Sequence, residues 1–172
     1  PDGTRLAWLE WDHPDMPWDA TRLRVAPVDE DGSLGPSDLA GGGLDESIAQ
    51  PEWSPDGVLH FVSDRTGWWN VYRLAEGPRL ESLTPLEAEF ADPAWIFDRS
   101  SYAFLPDGSI VAVGRARGRD RLFHIAPGNL IGEVESPYTD VGTIRVGGIG
   151  VVANVGTPTE PPMVVLLDPS TL

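Results

Sequence analysis

The 172-residue sequence contains no cysteine and no lysine, and it has only three histidines. Without cysteine the chain has neither a disulfide framework, nor a thiolate metal site, nor a thiol nucleophile. His13, His60 and His124 are scattered along the chain and predict no cluster of histidine ligands. We therefore expect this chain to carry neither a metal nor any other cofactor.

Positive charge and long hydrophobic runs are also scarce. Twelve arginines stand against 27 acidic residues, which gives a net charge of −15, so phosphate backbones and anionic lipid surfaces would be repelled. No apolar run approaches the ~20 residues that span a bilayer, and no signal peptide is present. We expect no nucleic-acid or membrane partner and a cytoplasmic location, although an upstream targeting segment stays open because the sequence begins at Pro1.

The sequence is rich in residues that favour turns, with 19 glycines and 17 prolines. Such residues favour many short strands joined by turns over long helices. A chain of this length also buries a substantial core, since a domain of similar size buries about 70% of its unfolded surface. We therefore predict one all-β domain over residues 1–172.

A Pro-Asp-Gly triplet occurs three times, beginning at Pro1, Pro55 and Pro106. The spacing of about 50 residues is typical of propeller blades. Each triplet precedes an alternating apolar run that predicts a strand, at residues 5–9, 58–63 and 109–113. Proline restricts φ, aspartate bonds its neighbouring backbone and glycine adopts positive φ, so each triplet predicts a tight hairpin turn between two strands.

Further strands are predicted around each hairpin. The strand before the turn is expected at 51–54 and 101–105, a third strand at 21–26, 70–74 and 121–126, and a fourth at 79–84 and 130–135. Four antiparallel strands in each repeat make one blade of a β-propeller.

A fourth repeat lacks the triplet but keeps the strand pattern, at 142–146, 151–155 and 162–167 around a turn at 147–150. The blades are then predicted at residues 1–46, 47–90, 91–137 and 138–172, which makes three to four blades. Both ends of the chain fall inside a blade by this division. We expect a partial propeller, excised from a longer protein, whose open sheet edges favour self-association.

Longer strings around these repeats resemble known proteins. The stretch Pro-Glu-Trp-Ser-Pro-Asp-Gly at 51–57, with Ser-Asp-Arg at 63–65 and Asn-Val-Tyr at 70–72, resembles bacterial Tol-system propellers and the propeller domain of the prolyl oligopeptidase family of serine peptidases. The tryptophan-rich segments 7–19 and 67–70, together with 100–105, are similar to the dipeptidyl aminopeptidase and acylaminoacyl-peptidase branch of that family.

The resemblance implies a function for the chain as part of a larger peptidase. In that family the propeller sits over an α/β-hydrolase domain, admits small peptides and does not hold the nucleophile. Here no Gly-x-Ser-x-Gly motif occurs, so we predict no catalytic residue in this chain and expect the serine elbow and its partners downstream of Leu172. The expected partners are that hydrolase domain and small peptides, and the expected role is gating.

In a four-stranded meander, the loops between second and third strands lie opposite the Pro-Asp-Gly turns. Those loops are predicted at 10–20, 64–70, 114–120 and 156–162. They carry the residues that we single out as a face for substrate or domain docking, namely Asp12, His13, Trp18, Asp19, Asp64, Arg65, Trp68, Trp69, Arg115, Arg117 and Arg119. Carboxylates can pair a peptide amino terminus, arginine can bind a carboxylate, and tryptophan adds apolar docking area.

The tryptophans also have a structural interpretation, which we prefer. Trp68 and Trp69 are expected to pack between neighbouring blades, because tryptophan is usually well buried. Trp53 and Trp95, near the starts of their blades, are expected in the core.

The polar groups likewise have a structural interpretation. Asp12 and His13, with Asp19, are more consistent with a proline-rich turn than with a metal site or a catalytic dyad. The alternating arginines 115, 117, 119 and 121 are interpreted as a solvent-facing strand end. Asp56 and Asp107 belong to the turns, where their side chains bond the local backbone.

Two other functions remain open from the residues alone. One is a stand-alone interaction propeller, like the Tol component, that performs no chemistry. The other is a propeller enzyme with a divalent metal in its central channel, for which Glu52 is one of the few suitable inner-strand residues.

Overall fold

A computed structural model describes residues 2–75, 79–96 and 98–169 of the chain. The named secondary-structure elements of these residues are all β-strands, which confirms the predicted all-β class. Nothing in the described ranges forms a helix of the length and apolarity that a membrane crossing requires.

The described strands form four antiparallel sheets in which neighbours in sequence are neighbours in space. The first sheet contains β1 (Arg5–Glu10), β2 (Arg22–Pro27) and β3 (Asp38–Gly42). The second contains β4 (Ile48–Trp53), β5 (Leu59–Ser63), β6 (Asn70–Leu74) and β7 (Leu80–Ser82). The third contains β8 (Tyr102–Phe104), β9 (Ile110–Ala116), β10 (Arg119–Ala126) and β11 (Leu130–Val134). The fourth contains β12 (Asp140–Gly147), β13 (Gly150–Gly156) and β14 (Met163–Leu167).

Consecutive sheets pack against each other through apolar clusters. The first cluster joins the first two sheets around Leu23, Ile48 and Phe61. The second cluster joins the second and third sheets around Val71 and Tyr102. The third cluster, which includes Val111 and Ile144, joins the third and fourth sheets.

Meander sheets stacked face to face in chain order are the blades of a β-propeller, so the predicted architecture is confirmed. The two middle blades have four strands each, and the first and fourth sheets have three described strands each.

Hairpin turns at 54–58, 105–109 and 147–150 join the first and second strands of three blades, and we call this end of the blades the turn face. In the turn at 105–109, the Asp107 carboxylate accepts hydrogen bonds from the backbone N–H of Ser109 at 3.0 Å and from its hydroxyl at 2.6 Å. These bonds lower the pKa of Asp107. The Asp56 carboxylate accepts a hydrogen bond from the hydroxyl of Ser54, which precedes it in its turn. The predicted structural role of both aspartates is confirmed.

Strands β3 and β4 differ from the sequence-based expectation. Strand β3 was not predicted, because its sequence Asp-Leu-Ala-Gly-Gly lacks the alternating β-branched pattern. Its last residue, Gly42, has φ of 88°, and an added Cβ would lie 1.9 Å from the Thr21 carbonyl oxygen, so glycine is required for the strand to approach. Strand β4 begins three residues earlier than predicted, at Ile48, and carries a bulge between Ala49 and Glu52.

Candidate functional site

The end of the blades opposite the turn face gathers the loops between second and third strands with the links between blades, and we call it the loop face. Loop and link residues bond each other directly there. The Ser47 N–H donates to Asp64 Oδ1 at 2.8 Å, and the Phe90 N–H donates to the Trp69 carbonyl at 2.6 Å. The loop face is therefore built from segments that are distant in sequence.

On the loop face, the residues predicted in the first loop are held by local contacts. Asp12 Oδ2 lies 2.7 Å from Arg22 Nη2, and its side chain is 79% exposed. The Asp19 carboxylate accepts the Met16 N–H at 2.9 Å, and His13 is exposed. The described residues contain no group of three side chains arranged to hold a metal.

Trp18 stacks on Trp95, with ring centroids 4.0 Å apart. This contact joins the first loop to the long link between β7 and β8. The prediction that Trp95 is a core residue is wrong, because its side chain is 74% exposed. The reason is that Trp95 lies in a link that leaves the sheets, where no facing blade covers it.

The two tryptophans of the second loop lie in different environments. Trp69 packs against the core cluster between the second and third blades, while Trp68 is exposed. The packing interpretation thus holds for Trp69 and is wrong for Trp68, because only the Trp69 side chain faces the neighbouring blade. In the same loop Arg65 Nη2 binds Glu46 Oε2 at 3.0 Å, and burial raises the pKa of Asp64.

The third loop is shorter than predicted. Strand β9 continues to Ala116 and β10 begins at Arg119, so the turn itself contains Arg117 and Gly118. Arg117 and Arg119 are exposed and form no ion pair with any described residue. Arg115 differs from both because it is fixed in a network of carboxylates.

That network centres on Asp120, whose side chain is 3% exposed. Its two oxygens accept Arg115 Nε at 2.7 Å and Nη2 at 3.2 Å, and Oδ2 also accepts the Val141 N–H at 2.9 Å. The hydrogen bonds that Arg115 donates to Asp120 raise the pKa of Arg115. Arg115 Nη1 reaches the Asp92 carboxylate, which also binds Arg99 Nη1 at 3.0 Å.

A cavity of about 460 Å³ opens beside this network. It lies between the first blade, strands β4 and β12, and the link before β8. Its apolar wall includes Leu9, Trp11, Ile48, Phe90 and Ile96. Its polar wall includes Glu89, Asp92, Asp98, Arg99 and Arg115. Pockets of this size that combine apolar walls with a few polar groups are typical of small-ligand sites.

Sequence reasoning missed the charged residues that the link contributes to this cavity. Glu89, Asp92, Asp98 and Arg99 lie in the connection 83–101, the longest between described strands. A long connection without a strand pattern often carries function, and that length was the available signal. Asp98 is anchored from the fourth blade, where Arg145 Nη2 lies 2.6 Å from its Oδ1.

Beside the cavity, Gln50 joins the inner strands of the two middle blades. Its Oε1 accepts the Ser101 N–H at 2.7 Å, its Nε2 donates to the Tyr102 carbonyl at 2.7 Å, and the Tyr102 hydroxyl donates back to the Gln50 carbonyl at 2.8 Å. Gln50 Nε2 also reaches Glu52 at 2.8 Å. Burial raises the pKa of Glu52 despite that bond.

Solved structures identify the family. The structure of a puromycin-hydrolyzing peptidase from Mycobacterium tuberculosis matches 99% of this chain with a TM-score of 0.92 and 37% identity. The match covers 26% of that protein's chain. A prolyl endopeptidase structure matches 99% of the chain and 24% of its own, with a TM-score of 0.71, and at 18% identity it shows a shared fold alone. The chain belongs to the β-propeller domains of the prolyl oligopeptidase family.

The chain therefore spans about a quarter of the length of these family members. TolB from Acinetobacter baumannii also matches, over 95% of this chain and 39% of its own, with a TM-score of 0.66. At 17% identity that likeness shows a shared fold alone. No protein-family model and no curated protein matches the sequence.

The chain corresponds to the non-catalytic propeller portion of prolyl oligopeptidase-family peptidases. No Gly-x-Ser-x-Gly motif occurs among its 172 residues. On the loop face, Arg115 and Asp64 form hydrogen bonds between segments, and Trp68 and Trp95 expose aromatic surface. The loop face thus offers both a cavity and an exposed aromatic surface.

Proposed function

We propose that this propeller segment gates access to the active site of a serine peptidase of the dipeptidyl aminopeptidase or acylaminoacyl-peptidase type. The loop face would dock on an α/β-hydrolase domain of the same polypeptide and admit small peptides while excluding folded proteins. The observation that supports this most strongly is the 37% identity, over 99% of the chain, to a puromycin-hydrolyzing peptidase.

The composition of the loop face supports a docking role. Trp95 and Ile96 are 74% and 62% exposed on the link, and Trp68 is 37% exposed on the neighbouring loop. Exposed aromatic and aliphatic side chains beside a polar rim are the usual anchors of protein interfaces.

Reading the gene beyond codon 172 is the first test. A Gly-x-Ser-x-Gly motif followed by aspartate and histidine would support the proposal. An uninterrupted reading frame without a hydrolase domain, or a frame that closes at once, would instead support a protein-interaction propeller without enzymatic activity.

Gating itself is tested with the full polypeptide. We expect kcat/KM for a short peptide to exceed strongly that for a long peptide with the same first residues. Trp95→Ala combined with Ile96→Ala should reduce this discrimination by loosening the docked face. Leu130→Ala is the matched control, because Leu130 is 73% exposed but lies on β11, an outer strand. Equal discrimination in all three proteins would contradict the docking assignment.

A further inference from the structure

A strand with a blade on each side of it is apolar on both faces. In β9 of the third blade, Ile110 and Ala112 belong to the cluster shared with the second blade, while Val111 and Val113 belong to the cluster shared with the fourth. A continuous apolar run is typical of strands that are covered on both sides. The residues of a strand therefore indicate whether one or both of its faces are buried.

The fourth sheet has this composition but only one covered face. Strand β14 has the sequence Met-Val-Val-Leu-Leu, and neither it nor β13 contains a charged residue. Val165 and Leu167 pack against the third blade. On the opposite side Val164 and Leu166 are 70% and 54% exposed, and Val152 lies beside Leu166 in the register. We call this exposed side the forward face, because it looks away from the third blade in chain order.

The first sheet has the same imbalance on its other side. Leu6 and Trp8 alternate with the residues that pack toward the second blade, so they point away from it. Leu39 lies on the same side, because Trp8 and Leu39 are both register partners of Arg24. Leu6 and Leu39 are 43% and 54% exposed, and Arg24 is paired with Glu10 at 2.9 Å. This side, which we call the rear face, thus combines apolar side chains with a paired charge.

The accessible surface of the chain is larger than that of a compact monomer. The chain exposes 9859 Å², whereas a folded monomer of 18.6 kDa is expected to expose about 8,200 Å². The excess is roughly 1,600 Å². One partner buries about 800 Å² in a standard protein interface, so the excess corresponds to two such interfaces on each copy.

The forward face and the rear face are complementary in kind. At each junction inside the chain, the side of one sheet that looks forward packs on the side of the next sheet that looks back. Two copies can therefore join by the same contact that already links consecutive blades. A ring of two copies has twice the four sheets of one chain, which is within the range of about four to eight blades that propellers have.

We propose that the 172-residue chain binds a second copy of itself head to tail, with the forward face of each copy packed on the rear face of the other. Such a heterologous contact ends at a closed dimer when the rotation between copies closes. The contact joins sheet faces, whereas the sequence favoured association through strand edges. The inference does not depend on the proposed function, because it leaves the loop face uncovered.

The molar mass of the chain in solution is the first test. Light scattering and sedimentation velocity should give twice 18.6 kDa. Because each copy carries a net charge of −15, added salt should strengthen the dimer. A mass of one chain throughout a dilution series, or polymers that grow without limit, would overturn the proposal.

Paired variants test the head-to-tail geometry. Val164→Glu with Leu166→Glu disables the forward face, and Leu6→Glu with Leu39→Glu disables the rear face, so each double variant alone should be a monomer. Mixed in equal amounts they should form a dimer, because the mixture keeps one intact forward face and one intact rear face. A rear-face variant that stays dimeric would show that like faces pair, and that result or a mixture that stays monomeric would contradict the proposal.

Leu44→Glu with Leu130→Glu is the matched control. It adds the same charge at side chains that are 85% and 73% exposed, in the link after β3 and on β11 of the third blade. These positions lie outside both faces, so the dimer should persist. Near-ultraviolet circular dichroism checks that every double variant is folded. Equal dissociation of the control would show that added charge alone separates the copies, and the assignment of the contact to these faces would be wrong.

Discussion

The two ends of the blades are built in different ways, although the same strands run between them. On the turn face, the Asp107 carboxylate bonds Ser109, two residues away, and Ser54 bonds Asp56. On the loop face, Asp120 bonds the Val141 N–H, 21 residues away, and Glu89 bonds the Trp69 N–H, 20 residues away. The hairpin turns are therefore held by bonds within each turn, although Arg5 Nη2 of the first blade also donates to the Gly57 carbonyl at 2.7 Å. The polar network of the loop face joins segments from different blades.

This difference explains why we expect a binding site on the loop face. A hairpin turn that satisfies its own polar groups contributes little to the relative position of blades. A network such as Arg115–Asp120–Val141 holds the third and fourth blades together, so the loop face depends on the whole fold. A binding cavity needs groups from several segments, and only the loop face brings such segments together.

The largest expected effect is that of Asp120→Ala. Removing this buried carboxylate leaves Arg115 Nε and Nη2 and the Val141 N–H without an acceptor, which should lower the free energy of unfolding by about 3–5 kcal/mol. Urea denaturation measures the loss. Asp107→Ala on the turn face is the control, and its effect should be much smaller because Asp107 is exposed and bonds only its own turn. Equal losses would break the comparison between the faces.

A smaller loss is expected from Gly108→Ala. Gly108 has φ of 84° and open space around its Cβ position, so the cost is that of the left-handed backbone, about 1–2 kcal/mol. Gly108→Asn should cost less, since asparagine tolerates this conformation. Thermal and urea unfolding would compare both with Gly132→Ala in β11, where no positive φ applies. If Gly132→Ala were as damaging, local backbone geometry would not be what defines the turn face.

The next effect is a pH dependence at His60, near the turn face. Burial lowers the pKa of His60, so the unfolded chain binds the proton first as the pH falls below about 6.5. The stability that neutral His60 provides is present above that pH and is lost as the pH falls toward the lower pKa of the folded state.

His60→Phe should therefore reduce the loss of stability between pH 7.5 and pH 5, while keeping the edge contact with Phe104, whose ring centroid lies 4.9 Å away. Urea midpoints at the two pH values measure the change. His13→Phe, on the exposed first loop, serves as the control. An unchanged difference in His60→Phe would argue against a buried neutral imidazole.

The smallest effect on stability is expected at Trp95, despite its size. Because 74% of this side chain is exposed, Trp95→Ala should change the free energy of unfolding by less than about 0.5 kcal/mol. That small loss would come from the ring contact between Trp95 and Trp18. A loss of several kcal/mol in a thermal melt would show that the aromatic surface of the loop face stabilises the fold and is not held free for docking.

The candidate site was predicted only in part, for a physical reason. The loops that form the loop face were located from the strand pattern, since the turns at one end place the loops at the other. Glu89, Asp92 and Arg99 were missed because a link has no periodicity to mark which residues face a cavity. Trp68 and Trp69 have identical local sequence signals, and only the neighbouring blade distinguishes the packed ring from the exposed one.

The sequence by itself determined the blade repeat, the hairpin turns and most strands, because alternation of side chains and turn chemistry act over a few residues. Only the tertiary structure decided which of the described charges at the cavity are paired: Asp92 and Asp98 bind arginines, and Glu89 accepts a backbone N–H. It also decided that β3 closes against Thr21 through Gly42. Such outcomes depend on which blades face each other, and the packing of distant segments sets that arrangement.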